Sequence, residues 1–361
     1  MSGVDEVEPI PVGRVGGWLA TLDPGWFALV MATGIVSVGC RLLEHALIAE
    51  VLLVASAAGF VVLLVADVAR AVRFPRRTLA SLRAPSSAVT WFTVVAAADV
   101  LGEGLLAHDL WPVSLGLWCF ALLVWIVLTY GLLCSIVLAG NRPELRGMTG
   151  VWLIWVVGTQ SIAVLATGLS PALPWPGAAG VLDVVAVAFW SIGVVLYLIL
   201  VVIIFLRLFL VETVPAEMGP AYWILMGATA ISVAAAAGIL ALSAAAPVPL
   251  IEDVHDFVAG AAVVLWSFGS WFIPALVLFG LWRHLVRRHS MAFEPGLWSV
   301  VFPLGMYAVA SVTLGRVLDL AFLRDLAAWW VWLGVAAWLV VLVLMVVAAV
   351  RGRRREPLAG I

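Results

Sequence analysis

The chain has 361 residues, of which 65% are hydrophobic and 11% charged, with a formal net charge of -2 at pH 7. A water-soluble domain carries about 25% charged residues, so this chain cannot clothe itself for water and reads as an integral membrane protein with no basic face for nucleic acid. All nineteen basic residues are arginine, which excludes a Walker A lysine and any Schiff-base cofactor.

A spanning helix needs about 20 apolar residues. Ten such runs follow one another: 25–43, 47–69, 86–107, 111–139, 149–169, 179–208, 220–244, 255–282, 296–318 and 326–350. They read as helices, because a barrel strand needs only about ten alternating residues. The organisation expected is a short cytoplasmic segment over 1–24, a ten-helix transport domain over 25–350 and a basic cytoplasmic tail over 351–361, with no folded domain at either end. Asp5, Glu6 and Glu8 precede the first run, where a signal peptide would be basic.

The arginines predict direction. Arg70, Arg73, Arg76, Arg77 and Arg83 follow span two, Arg142 and Arg146 follow span four, and Arg207 ends span six. Arg283, Arg287 and Arg288 follow span eight, and Arg351, Arg353, Arg354 and Arg355 follow span ten. The opposite connections hold mostly acids, among them Glu103, Asp109, Glu252, Asp253, Asp256, Asp319 and Asp325. Cytoplasmic loops collect arginine, so both termini are expected inside the cell membrane and every odd span runs outward. The segment from Arg70 to Arg83, with Phe74, Leu79 and Leu82 among its arginines, reads as ordinary topology signalling or as a surface for anionic head groups.

An aromatic-led segment recurs along the chain. Trp26, Trp91, Trp152, Trp223 and Trp298 lead the odd spans at intervals of 61 to 75 residues. Small or weakly polar residues follow each within two turns, and a second apolar run separates successive members. This is a helical hairpin used five times, and five hairpins around an axis make a ring with a hole.

Ionisable groups within the membrane are expensive and are functional candidates. His45, His108, His255, His284 and His289 all fall near span ends, which argues against haem or metal ligation inside the bundle. Cys40, Cys119 and Cys134 have no metal-ligand spacing and read as small buried hydrophobes. Asp99 lies about 13 residues into span three, roughly 20 Å along the helix; it is either a carrier of a coupling proton or an acceptor bonded to a neighbour or wetted beside Glu103. Arg316 near the end of span nine either draws anions to an outer mouth or pairs with Asp319 three residues on. Arg207 reads as a snorkelling anchor.

Thr33, Thr159, Gln160 and Thr229, with Gly34, Gly158 and Gly227, occupy similar depths in alternate spans. Small residues serve close helix packing, but their recurrence favours a shared axis, and an uncharged pore of hydroxyls and small residues holds ions weakly, as conduction requires. In span nine, Pro303 kinks the helix. Phe302 beside it either packs in the core or projects its ring into the axis as a hydrophobic constriction. Pro274 does the same to the backbone of span eight.

The Met-Ala-Thr-Gly-Ile-Val run that starts at Met31, Trp-Ile-Leu-Met-Gly-Ala-Thr-Ala-Ile-Ser from Trp223 and Phe-Pro-Leu-Gly-Met-Tyr from Phe302 resemble the tellurite-resistance and dicarboxylate transporters over about residues 22–350. That family includes bacterial TehA-like channels, fungal malate permeases and sulfite pumps, and plant slow anion channels. The resemblance implies five hairpins in a pseudo-fivefold ring, a pore lined by the odd helices, a homotrimer with one pore per subunit, and a pore-occluding phenylalanine that falls on Phe302. It implies transport of small inorganic or organic anions, from chloride and nitrate to malate and sulfite.

The expectation is therefore an anion channel occluded at Phe302 and Pro303, with Thr33, Gly34, Thr159, Gln160, Gly227 and Thr229 lining the pore and Asp99 and Arg316 as coupling or vestibule charges. Selectivity would rest on Arg316 or Arg41, the inner-loop arginines and backbone dipoles. The alternative is a proton-coupled carrier for a dicarboxylate such as malate, or for sulfite, that uses Asp99. No enzymatic chemistry, cofactor or metal is expected, and the partners are the lipid bilayer, the anion and further copies of the chain.

Overall fold

A computed structural model describes residues 14–243, 248–290 and 292–354. Among these residues all regular structure is helical. Ten helices are long and apolar enough to cross a membrane: α1 (Pro24–Leu42), α2 (Ala46–Arg73), α3 (Pro85–Leu106), α4 (Trp111–Val137), α5 (Gly150–Ala172), α6 (Pro176–Leu210), α7 (Pro220–Leu242), α8 (Pro249–Val286), α9 (Pro295–Val317) and α10 (Ala321–Arg351). Most outer helices overrun the apolar runs that announce them, because a helix does not stop where the hydrocarbon does. α8 starts at Pro249, whose fixed φ suits a first helical turn, and places Glu252 and Asp253 ahead of the apolar run. The last helix continues to Arg354, into the stretch expected as a tail. Residues 1–13 and 355–361 of the expected terminal segments lie outside the described residues.

The odd and even helices form two shells. In their most apolar windows α1, α3, α5, α7 and α9 are 72–89% buried, and the even helices only 11–33%. Each odd helix packs on the even helix that follows it, which gives five hairpins. The odd helices also touch one another in a closed cycle, α1 to α3 to α5 to α7 to α9 and back to α1. Composition explains the division. The inner helices carry alanine, glycine, serine and threonine, which allow close backbone approach, whereas the outer ones expose Val54, Val61, Leu123, Val195, Val264 and Trp329. A surface of that kind is stable only against lipid.

The aromatic-led repeat has a structural counterpart. Each inner helix enters through a tight 3-10 turn: Pro24–Trp26, Val89–Trp91, Gly150–Leu153, Pro220–Trp223 and Pro295–Leu297. Three of these turns begin with proline, and Asp23 caps the first by accepting the Gly25 N–H at 2.6 Å. The leading tryptophan lies within the turn or, for Trp298, directly after it.

Tryptophans of the outer shell tie successive hairpins together. Trp125 on α4 donates to Thr159 Oγ1 on α5 at 2.9 Å, and Trp190 on α6 to the Ser232 carbonyl on α7 at 3.0 Å. Trp266 on α8 donates to Ser311 Oγ on α9 at 3.0 Å, and Trp338 on α10 to Thr33 Oγ1 on α1 at 2.9 Å. A buried indole N–H usually finds an acceptor, although those of Trp298 and Trp330 have none. Each such bond contributes about 0.6–1.7 kcal/mol, and the last one joins the fifth hairpin to the first.

Candidate functional site

A cavity of about 360 Å³ lies at the C-terminal ends of the inner helices, and all five line it. Its deepest residue on each helix is Ile35, Asp99, Ser161, Ile231 and Met306. These fall eight or nine residues after the leading tryptophans, so the repeat places them at one level as a floor. Glu103, Thr167, Thr313 and Arg316 stand nearer the mouth.

One helical turn below the floor, on the same faces, come Met31, Val95, Val157, Gly227 and Phe302. All are buried, Phe302 completely. Pro303 follows Phe302 and presses against Gly227: a Cβ built on that glycine would lie 2.8 Å from Pro303 Cγ. Glycine is required there by the close approach of α7 and α9.

The polar residues expected along the pore are brought to similar depths but turned away from the axis. Thr33 and Thr159 accept the indole N–H groups of outer helices. Gln160 donates to the Trp190 carbonyl on α6 at 3.2 Å and lies against Gly193. Thr229 bonds the Met226 carbonyl at 2.7 Å and packs on Gly269 of α8. Gly34 sits between Val100 of α3 and Ser56 of α2. None of Thr33, Gly34, Thr159, Gln160, Gly227 and Thr229 lines the cavity.

The charged candidates behave differently. Asp99 is 1% exposed; its Oδ2 accepts from Ser161 Oγ at 2.7 Å, and its Oδ1 has no hydrogen-bond partner. Glu103, one turn on, also leaves its Oε2 without a partner. Arg316 does not pair with Asp319. Arg324 takes that carboxylate at 2.9 Å, and Arg316 donates instead to the Leu42 carbonyl at the cavity mouth. Arg41 is neutralised by Glu50 and lies 3.1 Å from His108. Ser161, Thr167 and Thr313 were missed from the sequence, although counting eight or nine residues from each tryptophan finds Ser161 as it finds Asp99.

At the other end of the bundle the expected snorkelling anchor proves to be an internal clamp. Arg207 is completely buried, pairs with Glu217, donates to Thr213 Oγ1 at 3.2 Å and stands over the Tyr222 ring. Arg146 holds the other Glu217 oxygen at 2.7 Å, and this hydrogen bond keeps the Glu217 carboxyl below the ordinary glutamate value of 4.5. Arg283 repeats the device, donating to the Met218 carbonyl at 3.1 Å and to Glu294 at 3.2 Å. Arginine suits these buried positions, since its planar fork answers several acceptors at once. Of the cysteines only Cys40 is buried; Cys119 and Cys134 lie exposed on α4.

A family model described as Voltage-dependent anion channel matches residues 21–346. The chain belongs to that family. An uncharacterized membrane protein of Mycobacterium tuberculosis strain H37Rv is 42% identical over 149 residues, 41% of this chain and 74% of that protein. An uncharacterized transporter of Methanocaldococcus jannaschii is 24% identical over 335 residues, covering 89% of this chain and 91% of its own. A sulfite efflux pump of Trichophyton rubrum is 25% identical over 360 residues, covering 91% and 92%. These relatives are transporters and membrane proteins matched along nearly the full set of helices, apart from the shorter mycobacterial one.

Proposed function

We propose that this protein conducts small anions along the axis of its five inner helices and that the layer containing Phe302 occludes the path. The observation that carries the reading is the axial cavity, lined by all five inner helices, that ends one turn from the completely buried Phe302. Phe302 is the only aromatic residue in that layer, and a ring among Met31, Val95 and Val157 leaves no polar group for a dehydrating ion. A hydrophobic constriction of this kind blocks conduction by excluding water. Arg316 supplies positive potential at the mouth, where a low-dielectric wall strengthens its reach.

The basic connections support the expected direction, with the clamp end and both termini in the cytoplasm and the cavity opening outward from the cell membrane. Sulfite, by likeness to the fungal pumps, and malate, by the sequence resemblance, join chloride and nitrate as candidate substrates. A trimer with one path per subunit belongs to the same reading. A carrier that couples the anion to a proton on Asp99 is the second reading, favoured by an acid that lines the cavity and leaves its Oδ1 without a partner.

Purified protein in liposomes, with voltage-driven currents of chloride, nitrate, sulfite and malate, tests both. Phe302→Ala is expected to raise anion current about tenfold or more, a barrier change of about 1.4 kcal/mol or above. An unchanged current at normal protein content removes Phe302 as the gate. Uptake that occurs only under a pH gradient and that Asp99→Asn uncouples moves the function to the carrier.

A further inference from the structure

We infer that the cavity floor is a binding site for an oxyanion that still carries a hydrogen, whose O–H group is received by Asp99. This rests on the anion-conducting reading and names the class of anion that the path selects.

Asp99 is 1% exposed and lines the cavity, with one oxygen bonded to Ser161 and the other facing no donor. Glu103 lies one turn further on the same helix face, its own unpartnered oxygen held against Gly168 of α5. The rest of the floor, Ile35, Ile231 and Met306, offers no donor from its side chains. A buried carboxylate oxygen without a donor is costly, and the cost falls when a ligand brings one. Chloride and nitrate bring none, and they add negative charge beside two acids. An oxyanion with a remaining hydrogen carries the same single charge but brings a donor: it gives an O–H to Asp99 and turns its other oxygens away. Arg316, about ten residues along α9 from Met306, stands roughly 15 Å nearer the mouth by helical rise and draws any anion inward. Attraction and selection thus occupy successive levels of one path.

Three planar monoanions of similar size separate the possibilities: nitrate with no hydrogen to donate, hydrogen carbonate with one O–H, and acetate with a methyl group in its place. Reversal potentials under bi-ionic conditions, measured in planar bilayers on Phe302→Ala protein, give their permeability ratios. Hydrogen carbonate is expected to exceed both others. Asp99→Asn puts an amide donor in place of one acceptor oxygen and weakens the bond to the O–H, so the hydrogen carbonate to nitrate ratio should fall about tenfold or more. Asp99→Val should lower it further. Equal permeabilities in the parent protein, or a parallel fall of all three anions with the ratio intact, overturns the site. Reversal potentials that follow a cation gradient overturn it in favour of a cation held by the two acids. If Phe302→Ala carries no anion current, the pore reading has failed, and the site is then judged on the purified parent protein alone. A rise in melting temperature with hydrogen carbonate but not nitrate, abolished in Asp99→Val, supports it, and equal response to both anions overturns it.

Discussion

Two buried charged sites, one toward each end of the bundle, are answered in different ways. At the clamp end Arg207 is met by Glu217, Thr213 and the Tyr222 face, and Arg283 reaches Met218 and Glu294. Both guanidinium groups are met by protein acceptors there. At the cavity end Asp99 and Glu103 each keep an oxygen without a partner, and Arg316 is met by a backbone carbonyl. Charge answered by protein holds loops in place. Charge left unanswered beside open volume is held for something that arrives, and the protein carries its cost in stability.

Substitutions at the two ends should therefore change stability with opposite sign. Arg207→Met removes a cation buried among acceptors and frees the connections after α4 and α6. A loss of about 1.5–3 kcal/mol is expected, the range for hydrogen bonds to a charged group, visible as a lower melting temperature in detergent. Glu103→Gln removes an unanswered charge and should leave the melting temperature level or higher. Equal losses at both sites would end the distinction between clamp and binding site.

The contact between α7 and α9 lies between these ends and gives the next largest effect. A side chain at Gly227 meets Pro303, so Gly227→Val must push the helices apart. Overpacking of this kind costs about 1–3 kcal/mol. Because the displaced helix carries Phe302, anion current should change along with stability. A change in stability alone would place the constriction elsewhere.

A smaller effect separates packing from pore lining. Trp338→Phe deletes the donor to Thr33 and should cost about 1 kcal/mol with anion permeability ratios unchanged. Altered ratios would return Thr33 to the path. This is where the sequence was legible in one coordinate and not in another. The spacing from the leading tryptophans gave the depth of Thr33, Thr159, Gln160 and Thr229, and the alternation of arginines and apolar runs gave the ten spans. The angle of each residue around its helix was hidden, because the inner helices are apolar on almost every face and have no polar stripe to point. Partners fix that angle, and the partners are tryptophans two hundred or more residues away in the case of Thr33 and Trp338. Asp99 was recognisable by chemistry alone, since a carboxylate so deep has few uses. Arg207 was misread because an arginine at a helix end snorkels when water is near, and its neighbour Glu217 is ten residues off in an unpatterned loop.

The smallest effect is in acid, and it belongs to the clamp. The hydrogen bond from Arg146 lowers the folded-state pKa of Glu217 below its unfolded value of 4.5. A depressed carboxylate contributes stability that is complete above the unfolded value and is lost as pH falls through the folded one. Melting temperatures measured from pH 7 downward should accordingly be flat with respect to this group until about pH 4.5 and then decline. Glu217→Gln should be less stable than the parent at neutral pH and should lack this part of the decline, so the two curves converge in acid. Arg146→Ala removes the largest cause of the shift and should narrow the interval over which the loss occurs, while Arg207 still holds the second oxygen. Curves for Glu217→Gln and parent that stay parallel to the lowest pH would mean that Glu217 is unpaired in solution and that Arg207 is held by its neutral partners alone.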